Sequence, residues 1–212
     1  MQEERRIKRS WKEFSERLIA RVQDGRHFAE AVYEPDRAAQ TERAAAAAQQ
    51  FAAALPGCIP VCVDLEKAGD FAGLLRIVLD AIFTQIPEKA GGEAGEEIDE
   101  LAAEFYKEEE GADRSAESEY LKVVFQELLE DILPETGVRV ILILAHFEAA
   151  ADSWDRYDFG FMRANNFIDC PPSLLLYADR ALCEVSELPD GSSPFYNIFG
   201  DSGSLLMEFA YE

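Results

Sequence analysis

Apolar and polar positions recur along this chain with two periods, which predict short strands alternating with longer helices. Strands are predicted where short apolar segments contain β-branched residues, at residues 28–33, 59–65, 138–144 and 173–177. Helices are predicted where apolar residues lie three and four apart or where alanine is abundant, at residues 43–54, 70–86 and 120–133. This alternation indicates a three-layer α/β fold with a mainly parallel central sheet.

One predicted strand is apolar at nearly every position, since residues 138–144 read V-R-V-I-L-I-L. A strand with one face in water alternates apolar and polar residues, whereas a strand covered on both faces has no polar side. We therefore expect the strand around Ile141 to be central, in the same sheet as the segments around Val32, Val61 and Leu175.

The segment between the first strand and the first core helix reads E-P-D-R-A-A-Q-T, at residues 34–41. A phosphate-binding loop in this place needs G-x-x-x-x-G-K-[ST], because glycines let the backbone wrap the phosphates and the lysine neutralises them. On this frame Glu34 and Ala39 replace the glycines, Gln40 replaces the lysine, and only Thr41 fits. The frame predicts a degenerate loop with a carboxylate where a phosphate would lie.

The order of these elements resembles the NTPase domain of the STAND and AAA-type ATPases, and most of all prokaryotic AAA-like ATP-binding proteins. The residues that carry the likeness are P-G-x-I-P-V-x-V-D-L at 56–65, L-I-L-x-x-F-E at 142–148 and S-P-F-Y-N-I-F at 193–199. The resemblance covers roughly residues 28–209 and rests on order and spacing. It implies a P-loop NTPase-like fold.

A second motif of that family is also altered. The family ends its third strand in Asp-Glu, which hold Mg²⁺ and polarise the attacking water, but here Ala145 and His146 stand in those places. Alanine offers no oxygen to a hard cation. Glu148 matches a further acidic residue of the family, and Arg180 persists beside an acidic Asp179. The resemblance therefore implies a pseudo-ATPase, without catalytic residues and without a nucleotide cofactor.

The composition suits one soluble domain, with 48% hydrophobic residues in a chain of 212. No run of about 18 apolar residues predicts a membrane span. The charged start, M-Q-E-E-R-R-I-K-R-S-W, lacks the apolar core of a secretory signal, so we expect a cytoplasmic protein.

No metal site is predicted. Cys58 and Cys62 have a spacing that zinc tolerates, but no second Cys or His pair lies near them, so we expect buried free thiols. Asp152, Asp155 and Asp158 lack the glycine of a calcium loop and are expected in a solvated loop or at a helix start.

The formal net charge of −22 is unevenly distributed. Residues 1–27 are net basic and predict an amphipathic helix at 7–22, whereas residues 28–212 are acidic, most densely at 88–119, which we expect to be an exposed helical insertion. Such a surface repels phosphate backbones, so nucleic-acid binding by the body of the protein is not expected. A protein partner is expected instead.

Two segments are candidates for partner contact, the N-terminal helix and the aromatic run at 195–199. The residues proposed for it are Trp11, Phe14, Leu18, Phe195, Tyr196 and Phe199. Each segment has an alternative interpretation, because the helix could pack on its own domain and the aromatic run could fill a core edge.

The function predicted from the sequence is that of a non-catalytic scaffold or regulatory subunit, paired with a partner such as an active NTPase homologue. One alternative is an acidic decoy that occupies a basic, nucleic-acid-binding surface. Another is an NTPase with a rearranged site that uses Thr41, Glu148 and Arg180.

Overall fold

The computed structural model describes residues 6–86, 93–108, 114–186, 195–204 and 206–211. Its strands are β1 (Arg6–Ser10), β2 (Ala29–Tyr33), β3 (Cys58–Asp64), β4 (Arg139–Ala145), β5 (Ser173–Ala178) and β6 (Leu206–Ala210). Its helices are α1 (Trp11–Gln23), α2 (Arg37–Ala54), α3 (Leu65–Ala68), α4 (Phe71–Gln85), α5 (Glu93–Glu108), α6 (Arg114–Glu127), α7 (Leu133–Thr136), α8 (Ala150–Ser153), α9 (Arg156–Ala164), α10 (Leu182–Val185) and α11 (Asp201–Ser204). Tighter 3₁₀ turns lie at Phe147–Ala149, Asn165–Phe167 and Phe195–Phe199, and a π-helical turn at Leu128–Ile132 extends α6.

The central sheet contains the four strands that the sequence predicts, in the order β2-β5-β4-β3. All neighbours in it are parallel, with Leu142 of β4 opposite Val61 of β3 and Leu174 of β5. Because β4 has a strand on either side, the prediction that the strand around Ile141 is internal is confirmed. The predicted α/β fold with a parallel sheet is confirmed as well.

Helices cover both faces of this sheet. Val140, Leu142 and Leu144 of β4 face a core that includes α4 and α6, whereas Ile141 and Ile143 face a core that includes α1 and α2. Successive side chains of a strand point to opposite faces, so a strand between two helical layers buries every residue. The continuous apolar pattern of β4 thus has its physical reason in the three-layer arrangement.

The first segment of the chain differs from its prediction. A helix was expected at residues 7–22, but residues 7–10 belong to β1, which pairs in parallel with β6 and forms a separate two-stranded sheet. The helical pattern is correct only from Trp11 onward. Local periodicity could not show the strand, because its hydrogen-bonding partner lies near the far end of the chain.

The acidic stretch at 88–119 is helical where the structure describes it, in α5 and the start of α6, while residues 88–92 and 109–113 lie outside the described residues. It is not simply an exposed insertion, because Ile98, Leu101 and Phe105 of α5 are buried in the core. The ring of Phe105 lies 5.4 Å from that of Phe83 in α4. One face of this acidic helix therefore belongs to the domain's own packing.

Among the described helices, none has both the length and the apolar character that crossing a bilayer requires.

Candidate functional site

The loop after β2, where the sequence frame placed a phosphate-binding loop, is short and closed. Residues 34–36 alone separate β2 from α2, so residues 37–41 of the frame are helical and α2 begins six residues before the predicted start at residue 43. The carboxylate of Asp36 accepts hydrogen bonds from the backbone N–H groups of Ala38, at 3.0 Å, and Ala39, at 3.4 Å. These are the donors that a helix N-terminus offers to an anion, and here the chain's own carboxylate occupies them.

Gln40, which the sequence frame aligns with the P-loop lysine, is fully buried and hydrogen-bonded at both ends of its amide. Its Nε2 donates to the carbonyl oxygen of Glu34 at 2.9 Å and lies 3.4 Å from Oε1 of Glu148. Its Oε1 accepts from the backbone N–H of His146 at 2.9 Å. One side chain thus joins the loop after β2 to the end of β4.

Glu34 is also buried, and its carboxylate is satisfied locally. Its Oε1 accepts from the backbone N–H of Asp36 at 3.0 Å, and its other oxygen forms an ion pair with Arg43 of α2. The Arg43 guanidinium in turn lies 4.0 Å from the centre of the Tyr211 ring. A buried carboxylate needs such partners to offset its lost hydration. The Glu34 carboxylate therefore accepts the hydrogen bond from the Asp36 N–H, which a phosphate bound by this loop would otherwise accept.

His146 follows β4 directly and has the left-handed backbone conformation, with φ 57° and ψ 45°. Its Nε2 lies 3.0 Å from Oγ1 of Thr41, and its buried Nδ1, which has no hydrogen-bond partner among the described residues, lies 3.6 Å from Oε1 of Glu148. A left-handed residue with a side chain costs roughly 1–2 kcal/mol. The hydrogen bond from the His146 N–H to Gln40 helps to hold this conformation.

The order Thr41 hydroxyl, His146 imidazole and Glu148 carboxylate is the order of an activated nucleophile. However, 3.6 Å between Nδ1 and the carboxylate is longer than a hydrogen bond, so the imidazole is not oriented by it as a general base requires. Glu148 instead accepts the backbone N–H of Asp179 at 3.2 Å. Arg180 bonds to Asp179, at 2.7 Å from Nε to Oδ1, and is half exposed. The hydrogen bonds of Glu148 and Arg180 link the turn after β4 to the loop after β5.

Asp64, Glu66 and His146 place possible ligand atoms within 4.8 Å of one another at the edge of this network. Both carboxylates already have cationic partners, because Asp64 binds Lys67 at 2.9 Å and Glu66 pairs with Arg37. A metal ion there would have to displace these cations.

The cysteines and aspartates considered for metal binding are characterised by their burial and their hydrogen bonds in the fold. Cys58 is buried as expected, whereas Cys62 is exposed, which corrects the expectation for that residue. Neither forms a disulfide among the described residues. Asp155 caps α9 in a reciprocal capping box with Asp158, as expected for a helix start. Burial raises the pKa of Asp158, against the opposing effect of its hydrogen bonds from the Asp155 backbone and from Lys122.

No protein-family model and no curated protein sequence matches this chain. Solved structures are similar in fold: the ORC2 protein of Aeropyrum pernix in its ADPNP–ADP complexes superposes with a TM-score of 0.56 at 14% identity. Its ADP form gives 0.53 at 14%, and the ORC1 protein of Aeropyrum pernix in complex with DNA gives 0.52 at 12%.

The chain has a P-loop NTPase-like fold. Each comparison covers 94% of this chain but only 44–46% of the solved one, so the chain spans less than half the length of these proteins. At such low identity the likeness concerns the fold alone. It agrees with the α/β fold with a parallel sheet that the order of elements predicted.

In this NTPase-like domain, four of the six residues proposed for partner contact are core residues. Phe14 and Leu18 of α1 and Phe195 and Phe199 of the aromatic run are each at most 3% exposed. They cannot form an accessible surface, so this part of the expectation is corrected. Both segments follow the alternative that the sequence left open, packing on their own domain, because apolar faces of this size gain most by burial in the core.

The other two proposed residues, Trp11 and Tyr196, are half-buried. Trp11 donates from Nε1 to Oε1 of Gln50 at 3.2 Å and stacks on Tyr211 with ring centres 5.2 Å apart. Among the described residues, the most exposed aromatic side chains lie elsewhere: Tyr157, at the start of α9, is 63% exposed, and Phe167, in the 3₁₀ turn that follows α9, is 69% exposed. Tyr106 of α5 is 43% exposed. The amphipathic pattern of α9 gave no reason to select them, because isolated exposed aromatics have no sequence signature.

Proposed function

We propose that this chain is a non-catalytic P-loop NTPase-like domain that acts as a scaffold or regulatory subunit through contact with a protein partner, such as an active NTPase homologue. The observation that carries the proposal is the buried amide of Gln40, which occupies the lysine position and is hydrogen-bonded to both altered motifs. The fold is retained while the place of the nucleotide phosphates is closed by the chain itself.

Nucleotide binding here would be costly. The phosphates would have to displace the Asp36 carboxylate from the helix N-terminus and would meet the carboxylates of Glu34 and Glu148. No lysine replaces the lost charge at the position of Gln40. Desolvated like charges at short range cost on the order of several kcal/mol, enough to remove micromolar affinity.

Calorimetric titration with Mg-ATP and with Mg-GTP tests the loss of nucleotide binding. We expect no saturable heat at the site around Gln40. A dissociation constant below about 100 μM would refute the proposal if Asp36→Arg, which replaces the competing carboxylate with a cation, tightens the binding while Arg163→Gln on α9 leaves it unchanged. That pair of variants separates this site from any other place where phosphates could bind.

The partner surface is proposed around Tyr157, at the start of α9, and Phe167, in the 3₁₀ turn that follows α9. Both side chains are exposed, and each has an arginine over its ring, Arg156 at 4.6 Å and Arg163 at 5.8 Å. Aromatic and arginine side chains dominate the energetics of protein interfaces. Cross-linked pull-down from the native host tests this with Tyr157→Ser/Phe167→Ser, and Val123→Ser serves as the control because Val123 is 62% exposed on α6.

We expect the double variant, checked for folding by circular dichroism, to lose the partner that the wild type and Val123→Ser recover. Equal recovery by all three, or no specific partner of the wild type, contradicts the proposed surface. The net charge of −22 keeps the acidic decoy as a second candidate. Its affinity would fall steeply with ionic strength, whereas an interface centred on aromatic side chains would lose little.

A further inference from the structure

A cavity of about 430 Å³ with arginine-rich walls lies between β1, α1 and the start of β2. Arg9, Arg17 and Arg21 line it together with His27 and Glu30, and its apolar floor includes Phe199 and Met207. A second cavity of about 410 Å³ adjoins it and shares Arg9 and Arg17. The site around Gln40 lies at the opposite, carboxyl end of β2, so this cavity is a separate feature.

The cationic groups of the cavity are only loosely paired. Arg17 and Arg21 approach Oε1 of Glu30 to 4.0 and 3.8 Å, which is beyond hydrogen-bond distance. Arg21 also donates to the carbonyl oxygen of His27 at 3.0 Å. Within the described part of the chain, no carboxylate forms an ion pair with Arg9 within 4.0 Å. Since a guanidinium has five N–H donors, most of those in the cavity remain available to a ligand.

The charges that face the cavity favour an anion. The cavity is lined by three arginines and one carboxylate, that of Glu30. The adjoining cavity adds Glu13 and Lys8, and Lys8 is paired with Glu208. His27 is neutral at pH 7, because burial, Arg21 and Arg139 lower its pKa. Burial raises the pKa of Glu30 in spite of Arg17, Ser202, Arg21 and Arg9, which lower it. Arg17 and Arg21 are 49% and 38% exposed, so the cavity is open to a ligand from solvent, while Glu30, at 16% exposed, is largely buried.

We propose that this cavity binds a small anionic ligand with two or more negative charges on phosphate or carboxylate groups, which Arg9 and Arg17 hold. Guanidinium groups match both oxyanions through paired hydrogen bonds. A volume of about 430 Å³ is that of a small-molecule site. An extended polyanion does not fit the proposal, because beyond the cavity it would meet the acidic surface of a protein with net charge −22.

The test is calorimetric titration of the full chain with sodium pyrophosphate and, separately, with citrate, at constant pH and ionic strength. We expect at least one of them to bind with a dissociation constant below about 1 mM. Binding of pyrophosphate alone assigns a phosphate ligand, binding of citrate alone assigns a carboxylate ligand, and binding of both assigns an oxyanion site of either kind. Binding of neither overturns the proposal.

Variants locate the binding. Arg9→Gln/Arg17→Gln is expected to weaken it at least about ten-fold, because charge-assisted hydrogen bonds are lost, whereas Arg163→Gln removes the same charge elsewhere and should change it less than about two-fold. Arg21 is kept because it bonds to the carbonyl of His27. Equal weakening by both variants, or none by the first, overturns the assignment.

Glu30→Gln provides an independent test of the site if Arg9→Gln/Arg17→Gln fails to fold. Glu30→Gln removes the carboxylate that competes with the ligand for the same guanidinium groups, so it is expected to tighten binding at least about three-fold. Unchanged or weaker binding by this variant counts against the site. These titrations use neither ATP nor the residues around Gln40, so their failure and the failure of the proposed function can be distinguished.

Discussion

Replacing Gln40 by alanine tests whether its amide is a structural link between the loop after β2 and the end of β4. The substitution leaves two buried backbone groups without their partner, the carbonyl of Glu34 and the N–H of His146. Each unsatisfied buried group costs about 1–3 kcal/mol, so we expect the free energy of unfolding to fall by about 2–5 kcal/mol. In a chain of 212 residues this corresponds to a decrease in Tm of about 5–15 °C.

The assay is urea unfolding followed by circular dichroism, with Gln49→Ala as the matched control. Gln49 lies on the same helix but is exposed, so its replacement should change the free energy of unfolding by less than about 0.5 kcal/mol. If Gln40→Ala costs less than about 1 kcal/mol relative to Gln49→Ala, the hydrogen bonds of Gln40 do not hold the site together. The explanation of the closed loop would then be wrong.

Three further predictions concern neighbouring features. Gln40→Lys, which introduces the lysine that a P-loop needs, should still show no Mg-ATP binding by calorimetry, and measurable ATP binding would contradict this. The variant should also unfold at a lower urea concentration than the wild type, because the substitution buries a charge. His146→Gly should be more stable than His146→Ala by about 1 kcal/mol in urea unfolding, because glycine adopts the left-handed conformation at no cost; equal stability would show that the conformation is not strained. Burial raises the folded-state pKa of Glu30, so its ionisation costs stability as the pH rises above its ordinary value of 4.5. Glu30→Gln should therefore be more stable than the wild type at pH 7, by a difference that becomes smaller towards pH 4. Urea unfolding at both pH values that shows no such trend would contradict this prediction.

The sheet was predictable from the sequence because burial on both faces leaves a clear pattern. β4 has apolar side chains at nearly every position, and its internal place follows directly from that. The pairing of β1 with β6 was not predictable, since it joins segments from opposite ends of the chain and depends on tertiary packing rather than local periodicity. The same limit explains why residues 7–10 were assigned to a helix.

The site was predictable in part. The order of the elements predicted the parallel sheet that brings the start of α2 beside the end of β4, whereas the hydrogen bonds of Gln40 and Thr41 to His146 were not predicted. The early start of α2 was not predicted, although an aspartate such as Asp36 before an alanine-rich segment is a recognisable helix N-cap. The left-handed turn at His146 had no local signal, because it is held by a hydrogen bond to Gln40 on another element.

The parallel pairing of β1 with β6 also bears on the order in which the protein can fold during synthesis. The central sheet is complete once β5 has been made, whereas β1 must wait for β6 before any of its ladder hydrogen bonds can form. Until then the apolar face of α1 is not covered by β6. In the complete fold, the ring centres of Phe14 in α1 and Phe209 in β6 are 4.4 Å apart. The emerging chain thus carries an early helix whose packing is completed last, and this interval is the stage at which a chaperone has an apolar surface to bind.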